Sequence, residues 1–342
     1  MIRSAFLVLL TATSVLAAGC GSDDDPSPAA AASGAGAGST SGAGGNGAGP
    51  GAGGTGSGNG GATGSGGSTG PDCPAQWKVP IPPKYSDYGP TYASHCLGTD
   101  HQDIAGVEKV VFLGDSITFG TPPTPQAEQY RQALGAVLET KFPGVEIANC
   151  SENGARVDDL LGNQIPSCFP GVEEKKTLII MTMGGNDLAS WAEDELSADD
   201  GIAAAEVVAA DFDAAIKALK DPATFPNGSY VIFANVYEFT DGTGHISSCP
   251  AAGFSGLPAE YQNGALIIAR LDELYMKTAV ETQSDMIFLF EHFCGHGYQN
   301  DNPDAPCYIG PDAERWFDLT CIHPNPAGHA EITSMFEKVV DE

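Results

Sequence analysis

The chain has 342 residues, 15 of them basic and 44 acidic, for a formal charge of −29. A surface of that sign repels phosphate backbones and anionic lipid headgroups, which excludes nucleic acid as a partner.

The first predicted element is a secretory signal. Residues 1–20, MIRSAFLVLLTATSVLAAGC, combine one basic residue (Arg3), an apolar run and small residues ahead of Cys20. The run is too short and too soon interrupted to span a membrane. Its end, LAAGC, resembles a bacterial lipobox, with Ala17 in the place where Leu is commoner. That implies cleavage after Gly19 and a lipid on Cys20; the alternative is an ordinary secretory signal with a chance cysteine. Gly21 and Ser22, rather than an aspartate, follow Cys20, which favours the outer membrane or cell surface for the anchor. Residues 20–71 are Gly, Ala and Ser with almost no apolar surface. Such a segment cannot offset the entropy of ordering, so a flexible tether with a reach of roughly 35–40 Å is expected. Its GGSTG (Gly66 to Gly70) matches G-x-S-x-G formally, but no strand precedes it and no helix follows, as a nucleophile turn requires.

From residue 72 onward there is enough chain for one domain with a full core, preceded by an extension over 72–107 expected to pack on it. Eight cysteines fall here, at 73, 96, 150, 168, 249, 294, 307 and 321. An even number in an exported domain predicts up to four disulfides. Proximity suggests Cys73–Cys96 and Cys150–Cys168 and leaves the others open. With no C-x-x-C pair, no metal site is expected. The acidic run EDELSADD (Glu193 to Asp200) lacks the alternating ligands and central Gly of a calcium loop and reads as a solvated helix start.

Five short apolar runs predict strands: Lys109 to Gly114, Val145 to Cys150, Thr177 to Gly184, Ser229 to Val236, and Met286 to Glu291. Their near-continuous hydrophobicity is that of strands buried on both faces. Amphipathic runs beginning at Gln126, ending at Lys220, beginning at Ala259 and closing the chain from Pro326 predict helices. This alternation predicts a parallel sheet covered by helices on both faces, an α/β fold whose ligands bind beyond the carboxyl ends of the strands. Polar clusters stand at those ends. Gly114-Asp115-Ser116 follows the first strand and SENGARVDDL, with Gly154, the second. GGND (Gly184 to Asp187) follows the third, and FDLTCIHPNPAGH, with Asp318 and His323, precedes the last helix. Taken alone, Asp115-Ser116 fits a plain turn as well as a nucleophile.

Gly114-Asp115-Ser116-Ile117-Thr118, Gly154, Gly185-Asn186-Asp187 and His323-Pro324-Asn325, in that order, resemble the SGNH (GDSL) hydrolase family, from Glu108 to the C-terminus. The resemblance implies a three-layer αβα sandwich around a mostly parallel five-stranded sheet, flavodoxin-like in its winding. It implies a serine esterase that needs no cofactor, with Ser116 as nucleophile and His323 as its base. The oxyanion donors would be the N–H groups of Ser116 and Gly154 and the Asn186 amide. One departure stands out. The family's orienting acid usually lies three residues before the histidine, where this chain has Thr320. Asp318 is the expected substitute, brought in by a bent segment, with Asp312, Glu314 or a backbone carbonyl as alternatives. Asp187 is expected to stabilise its turn and His329 to belong to the last helix. His292 and His296 read as structural or substrate-lining.

The substrate would be an ester: an acyl lipid, an acetylated polysaccharide or a small acyl ester, cleaved by a monomer. A non-catalytic surface lipoprotein that binds glycan or protein is the alternative. The insertion from Thr240 to Glu260 and the loop from Cys294 to Phe317 are expected to rim the site. Their Phe254, Tyr298, Tyr308 and Trp316 would either face the substrate or pack within the loops.

Overall fold

The computed structural model describes residues 72–342 except Ser255, and of Phe254 only the backbone. The expected signal, the expected lipidation of Cys20 and the expected tether therefore lie outside the described residues.

The β-branched runs form five parallel strands: β1 (Lys109–Gly114), β2 (Glu146–Asn149), β3 (Thr177–Thr182), β4 (Ser229–Ala234) and β5 (Asp285–Ile287). Their order is β2-β1-β3-β4-β5. The continuous hydrophobicity has its expected cause: Val110 to Leu113, Leu178 to Met181 and Val231 to Phe233 are all fully buried.

The Gly114-Asp115-Ser116 segment enters α1 (Ser116–Phe119), and α2 (Tyr130–Lys141) crosses to β2. After β2 come α3 (Val157–Asp159), a π-helical turn (Leu160–Gln164) and α4 (Ile165–Cys168). α5 (Gly185–Glu193) and α6 (Ala198–Leu219) separate β3 from β4, and α7 (Gly264–Thr282) separates β4 from β5. α8 (Leu289–Phe293) and α9 (Pro326–Asp341) follow. Because crossovers are right-handed, the α2 connection, which runs one way from β1, and those of α6 and α7, which run the other, cover opposite faces. α9 packs with α2, and α6 with α7, completing the three-layer sandwich. The direction of winding reverses between β1 and β3, the switch point at which such sheets open a crevice.

Two expectations need correction. The run Met286 to Glu291 is not one strand: pairing stops at Ile287 and α8 begins at Leu289. Asn235 Oδ1 accepts the Phe290 N–H at 2.9 Å and Leu97 O accepts that of Phe288 at 2.9 Å, taking donors a longer strand would have used. A short apolar run does not itself distinguish strand from buried helix. The other omission is α5, whose first turn is the Gly185-Asn186-Asp187 block itself. The acidic run divides between the end of α5 and the start of α6, where Ser197 Oγ accepts the Asp200 N–H at 3.2 Å.

The 72–107 segment lies along β5. Thr99 N–H donates to Met286 O at 3.0 Å, and Gly98 bridges Ile287 in antiparallel sense. Trp77 and Tyr85 pack their rings on Phe288. The cysteines pair as Cys73–Cys96 and Cys150–Cys168, the two suggested by proximity, and as Cys249–Cys321 and Cys294–Cys307.

Candidate active site

β1 and β3 pair in register up to Gly114 opposite Thr182, so both chains leave the sheet at the same level. Gly114 has φ +117°, and an added Cβ would collide with the Thr182 carbonyl; this turn requires glycine. Gln164, fully buried on the π-helical turn, holds Gly114 from both sides. Its Oε1 accepts the Gly114 N–H and its Nε2 donates to the Gly114 carbonyl, each at 2.8 Å. Asp115, also buried, caps α1 by accepting the Ile117 N–H at 3.0 Å and takes the Thr182 hydroxyl at 2.7 Å. Burial pushes the Asp115 carboxyl up from 3.8 to about 6. Thr118 Oγ1 bonds Thr182 Oγ1 at 2.9 Å and Tyr130 OH at 2.5 Å. The buried polar groups beneath Ser116 are thus committed to holding the turn, while the Ser116 hydroxyl faces a cavity.

His323 arrives from the opposite end of the chain. Its Nε2 lies 2.8 Å from Ser116 Oγ. The residues before it fold back on themselves: Phe317 bridges Pro324, Asp318 N–H donates to His323 O at 2.9 Å, and Cys321 takes φ +77° while bonded to Cys249. Asn325 caps α9 by accepting the Gly328 N–H at 2.9 Å, with Pro326 opening the helix. The Pro-Asn-Pro run therefore sets His323 immediately ahead of a fixed helix start. Burial lowers the His323 pKa, opposed by the negative charge of Asp318, which leaves the imidazole neutral at pH 7.

Asp318 is not the direct neighbour of this imidazole. The partner of His323 Nδ1 is Thr320 Oγ1, at 2.8 Å. Thr320 Oγ1 in turn donates to Asp318 Oδ1 at 2.6 Å, and the same oxygen takes the Thr320 N–H at 2.7 Å. The residue at the family's usual acid position thus touches the histidine, with a hydroxyl in place of a carboxylate. Asp312 and Glu314 stay on the surface.

Asn186 lines the cavity beside Ser116 and His323. One N–H of its amide donates to Ala155 O at 2.8 Å, which aligns the amide and leaves its second N–H available. Ser116 N–H stands at the first position of α1, where a helix offers its donors no internal acceptor. Gly154 is not among the residues lining the cavity. It is exposed, with φ +80°, in the turn after β2. Glu152 N–H donating to Gly114 O at 2.9 Å, and the Asn186–Ala155 bond, tie that turn to the nucleophile segment and to α5. Asp187 Oδ2 accepts the Val157 N–H at 3.1 Å, and burial raises its carboxyl to about 6.

The cavity, of about 130 Å³, runs between the ends of β3 and β4, α5, α7 and the 240–260 insertion. Its walls are chiefly Met183, Leu188, Ala192, Val236, Phe239 and Ile268, with Ile246 and Leu257 from the insertion. The 294–317 loop contributes no lining residue; it supports the insertion from behind. Asp241 accepts the N–H groups of Gly295 (2.9 Å), Gly297 and Gln299 (both 2.8 Å). Tyr298, Tyr308 and Trp316 accordingly do not face the cavity. Tyr298 OH donates to Asp318 O at 2.5 Å, and Trp316 stacks on His296 with centroids 3.3 Å apart. His292 pairs with Glu331 at 2.9 Å, and His329, inside α9, accepts the Tyr130 N–H at 3.2 Å. Among the described residues, no group of three or more His, Cys, Asp or Glu is placed to hold a metal ion.

A hydroxyl and a neutral imidazole in hydrogen-bond contact at the switch point of a doubly wound sheet are the pair that serine hydrolysis of an ester requires. The sequence pattern of the GDSL-like Lipase/Acylhydrolase family matches residues 112–331. The chain belongs to that family and is a carboxylic ester hydrolase. The chain is similar to several solved structures. The extracellular lipase of Streptomyces rimosus aligns with a TM-score of 0.45 and 17% identity, over 68% of this chain and 99% of that one. The acetyl xylan esterase AlAXEase aligns at 0.44 and 20%, over 68% and 99%. A gut microbial diltiazem-metabolizing enzyme aligns at 0.49 and 17%, over 70% and 48%. No curated protein matches the sequence.

Proposed function

We propose that the protein hydrolyses esters of apolar acyl groups through an acyl-Ser116 intermediate. The observation that carries this reading is the 2.8 Å contact between Ser116 Oγ and His323 Nε2 at a cavity whose walls are mainly apolar. Nε2 takes the hydroxyl proton as Oγ bonds to the acyl carbon. The negative charge that develops on the carbonyl oxygen is met by the Ser116 N–H and the free N–H of Asn186, with the Gly154 N–H as a third donor that the family resemblance implies. Nε2 then gives its proton to the departing alkoxide as the C–O bond breaks. Water repeats the sequence on the acyl-enzyme and releases the acid. In this reading Asp318 supplies the charge that favours the imidazolium.

The acyl chain lies in the cavity and the alcohol portion faces the open side. Acetyl groups on a polysaccharide would leave most of these walls unused. The lipobox-like leader, the Gly-rich tether and the oxidised cysteines support an exported domain held by a lipid on Cys20, at the outer membrane or cell surface.

The test is hydrolysis of p-nitrophenyl acetate, butyrate and decanoate by residues 72–342, beside Ser116→Ala. Each methylene that enters the cavity is worth about 0.8 kcal/mol, so kcat/KM for butyrate should exceed that for acetate by about tenfold. Equal rates on acetate and butyrate would refute the acyl-cavity assignment, and activity surviving in Ser116→Ala would refute the nucleophile. Asn186→Ala should lower kcat by about 10²–10³ with KM little changed.

A further inference from the structure

The base assigned above lacks the feature that ordinarily orients such a histidine, a carboxylate at Nδ1. We infer that Thr320 is a positioning residue that relays the Asp318 carboxylate to His323 through its hydroxyl, giving a Ser116–His323–Thr320–Asp318 chain. This inference rests on the reading of Ser116 and His323 as nucleophile and base.

Proton counting supports it. A threonine hydroxyl has one proton and two lone pairs. Asp318 Oδ1 can only accept, and it lies 2.6 Å from Thr320 Oγ1, the short distance of a charge-assisted bond. The hydroxyl proton is therefore directed to Asp318. Thr320 Oγ1, 2.8 Å from His323 Nδ1, then has only a lone pair to offer and accepts Nδ1–H. With the proton fixed on Nδ1, Nε2 carries the lone pair and accepts the Ser116 hydroxyl at 2.8 Å. One hydroxyl thus selects the tautomer a general base requires. When Nε2 gains the serine proton, the imidazolium is stabilised through the same two bonds. No proton moves on to Thr320 or Asp318.

The geometry also explains how the carboxylate is kept in place. Asp318 is 6% exposed and is held by the Thr320 N–H at 2.7 Å, while its own carbonyl takes Tyr298 OH. Thr320 itself is exposed, so it can be replaced without emptying the core. The titratable groups around His323 are Asp318 in its own loop, His329 on α9, Asp115 at the β1 exit and Tyr237, whose hydroxyl bonds Ile322 O at 2.8 Å.

The experiment compares Thr320→Val, Thr320→Ser and Thr320→Asp with wild type, using p-nitrophenyl butyrate across pH. A hydrogen bond to a charged group is at stake, so Thr320→Val should lose about 10- to 100-fold in kcat with KM unchanged. Its acid limb in kcat/KM should move to lower pH, because the imidazolium has lost a partner. Thr320→Ser should restore both kcat and the limb. Thr320→Asp, which sets a carboxylate directly at Nδ1, should move the limb to higher pH. Wild-type kcat and an unmoved limb in Thr320→Val would overturn the relay, as would equal loss in the Val and Ser variants. Ser116→Ala distinguishes the two levels. If it retains activity, the nucleophile reading fails and the relay with it; if activity is abolished there but untouched in Thr320→Val, the relay alone fails.

Discussion

The turn that presents Ser116 is built from buried groups drawn from four elements, whereas the loop that presents His323 is built largely from itself. Around Ser116, Gln164, Thr182, Thr118 and Tyr130 are all less than 3% exposed and bonded to one another or to the turn. Around His323, Leu319 is 69% exposed, Thr320 is on the surface, and the shape depends on Asp318, on the Phe317–Pro324 bridge and on the bond from Cys321 to Cys249. Ser116, the nucleophile in our proposal, is placed where the core already allows one conformation. His323, the base in that proposal, is placed on a loop fastened at a few points, one of them covalent.

If the comparison holds, the largest effect comes from cutting the covalent point. Replacing Cys249 and Cys321 by serine releases a closure spanning 72 positions, which is worth about 4 kcal/mol of stability on the chain-entropy estimate. Chemical denaturation should show that loss, and kcat should fall with it because Thr320 and His323 flank the freed residue. Wild-type kcat in this variant would mean that the hydrogen bonds suffice to hold the base.

On the other side, stability should respond to pH through Asp115. Its carboxyl rises from 3.8 to about 6 in the folded state, so the folded protein keeps a proton that the unfolded chain has released. Its contribution is complete below about pH 4 and disappears as pH rises to about 6. Asp115→Asn should therefore gain on wild type by at most about 3 kcal/mol between those limits, read as the difference between urea unfolding curves. His323 and His329 are both pushed below 6.5 by burial and slope the opposite way, but they cancel in that difference. A constant difference across pH would show that Asp115 does not carry the buried charge.

The smallest effect sharpens the contrast. Gln164→Leu leaves the Gly114 N–H without a partner inside the core, while Gly114 O keeps the Glu152 N–H, at a cost of about 2 kcal/mol, measured as a lower denaturation midpoint. KM and the acid limb of kcat/KM should stay in place, because no group of the base loop is touched. A shifted limb would mean that the two halves of the site are mechanically one.

This contrast also explains what the amino-acid sequence revealed. The strands were legible because burial on both faces demands β-branched runs, and Ser116, Asn186 and His323 were legible because a sheet with one switch point brings strand ends to one crevice. The long-range supports were not. Nothing local marks Gln164 as the bracket of Gly114, since the π-helical turn that aims it has no side-chain signature. The cavity walls come from the segments after β3 and β4, from α5, the insertion and α7, whose apolar residues read as ordinary core. Phe239 and Tyr261, which line it, look no different in sequence from Tyr298 and Trp316, which do not. Thr320 did carry a signal: it stands where the family places its acid, and its side chain is one hydrogen bond short of a carboxylate.

The antiparallel contact of Gly98 and Thr99 with β5 has a consequence of another kind. A parallel sheet ends in strands whose outer N–H and C=O groups invite pairing with any passing chain. Here the leading segment occupies the β5 edge, locked by Thr99 Oγ1 and His101 N–H on Asp285, each at 2.8 Å. At the other end, β2 is only four residues long and carries the charged Glu146 and its partner Lys175. Neither edge offers a long apolar template. Copies of this domain brought close together therefore find, among the described residues, no long strand edge on which to pair.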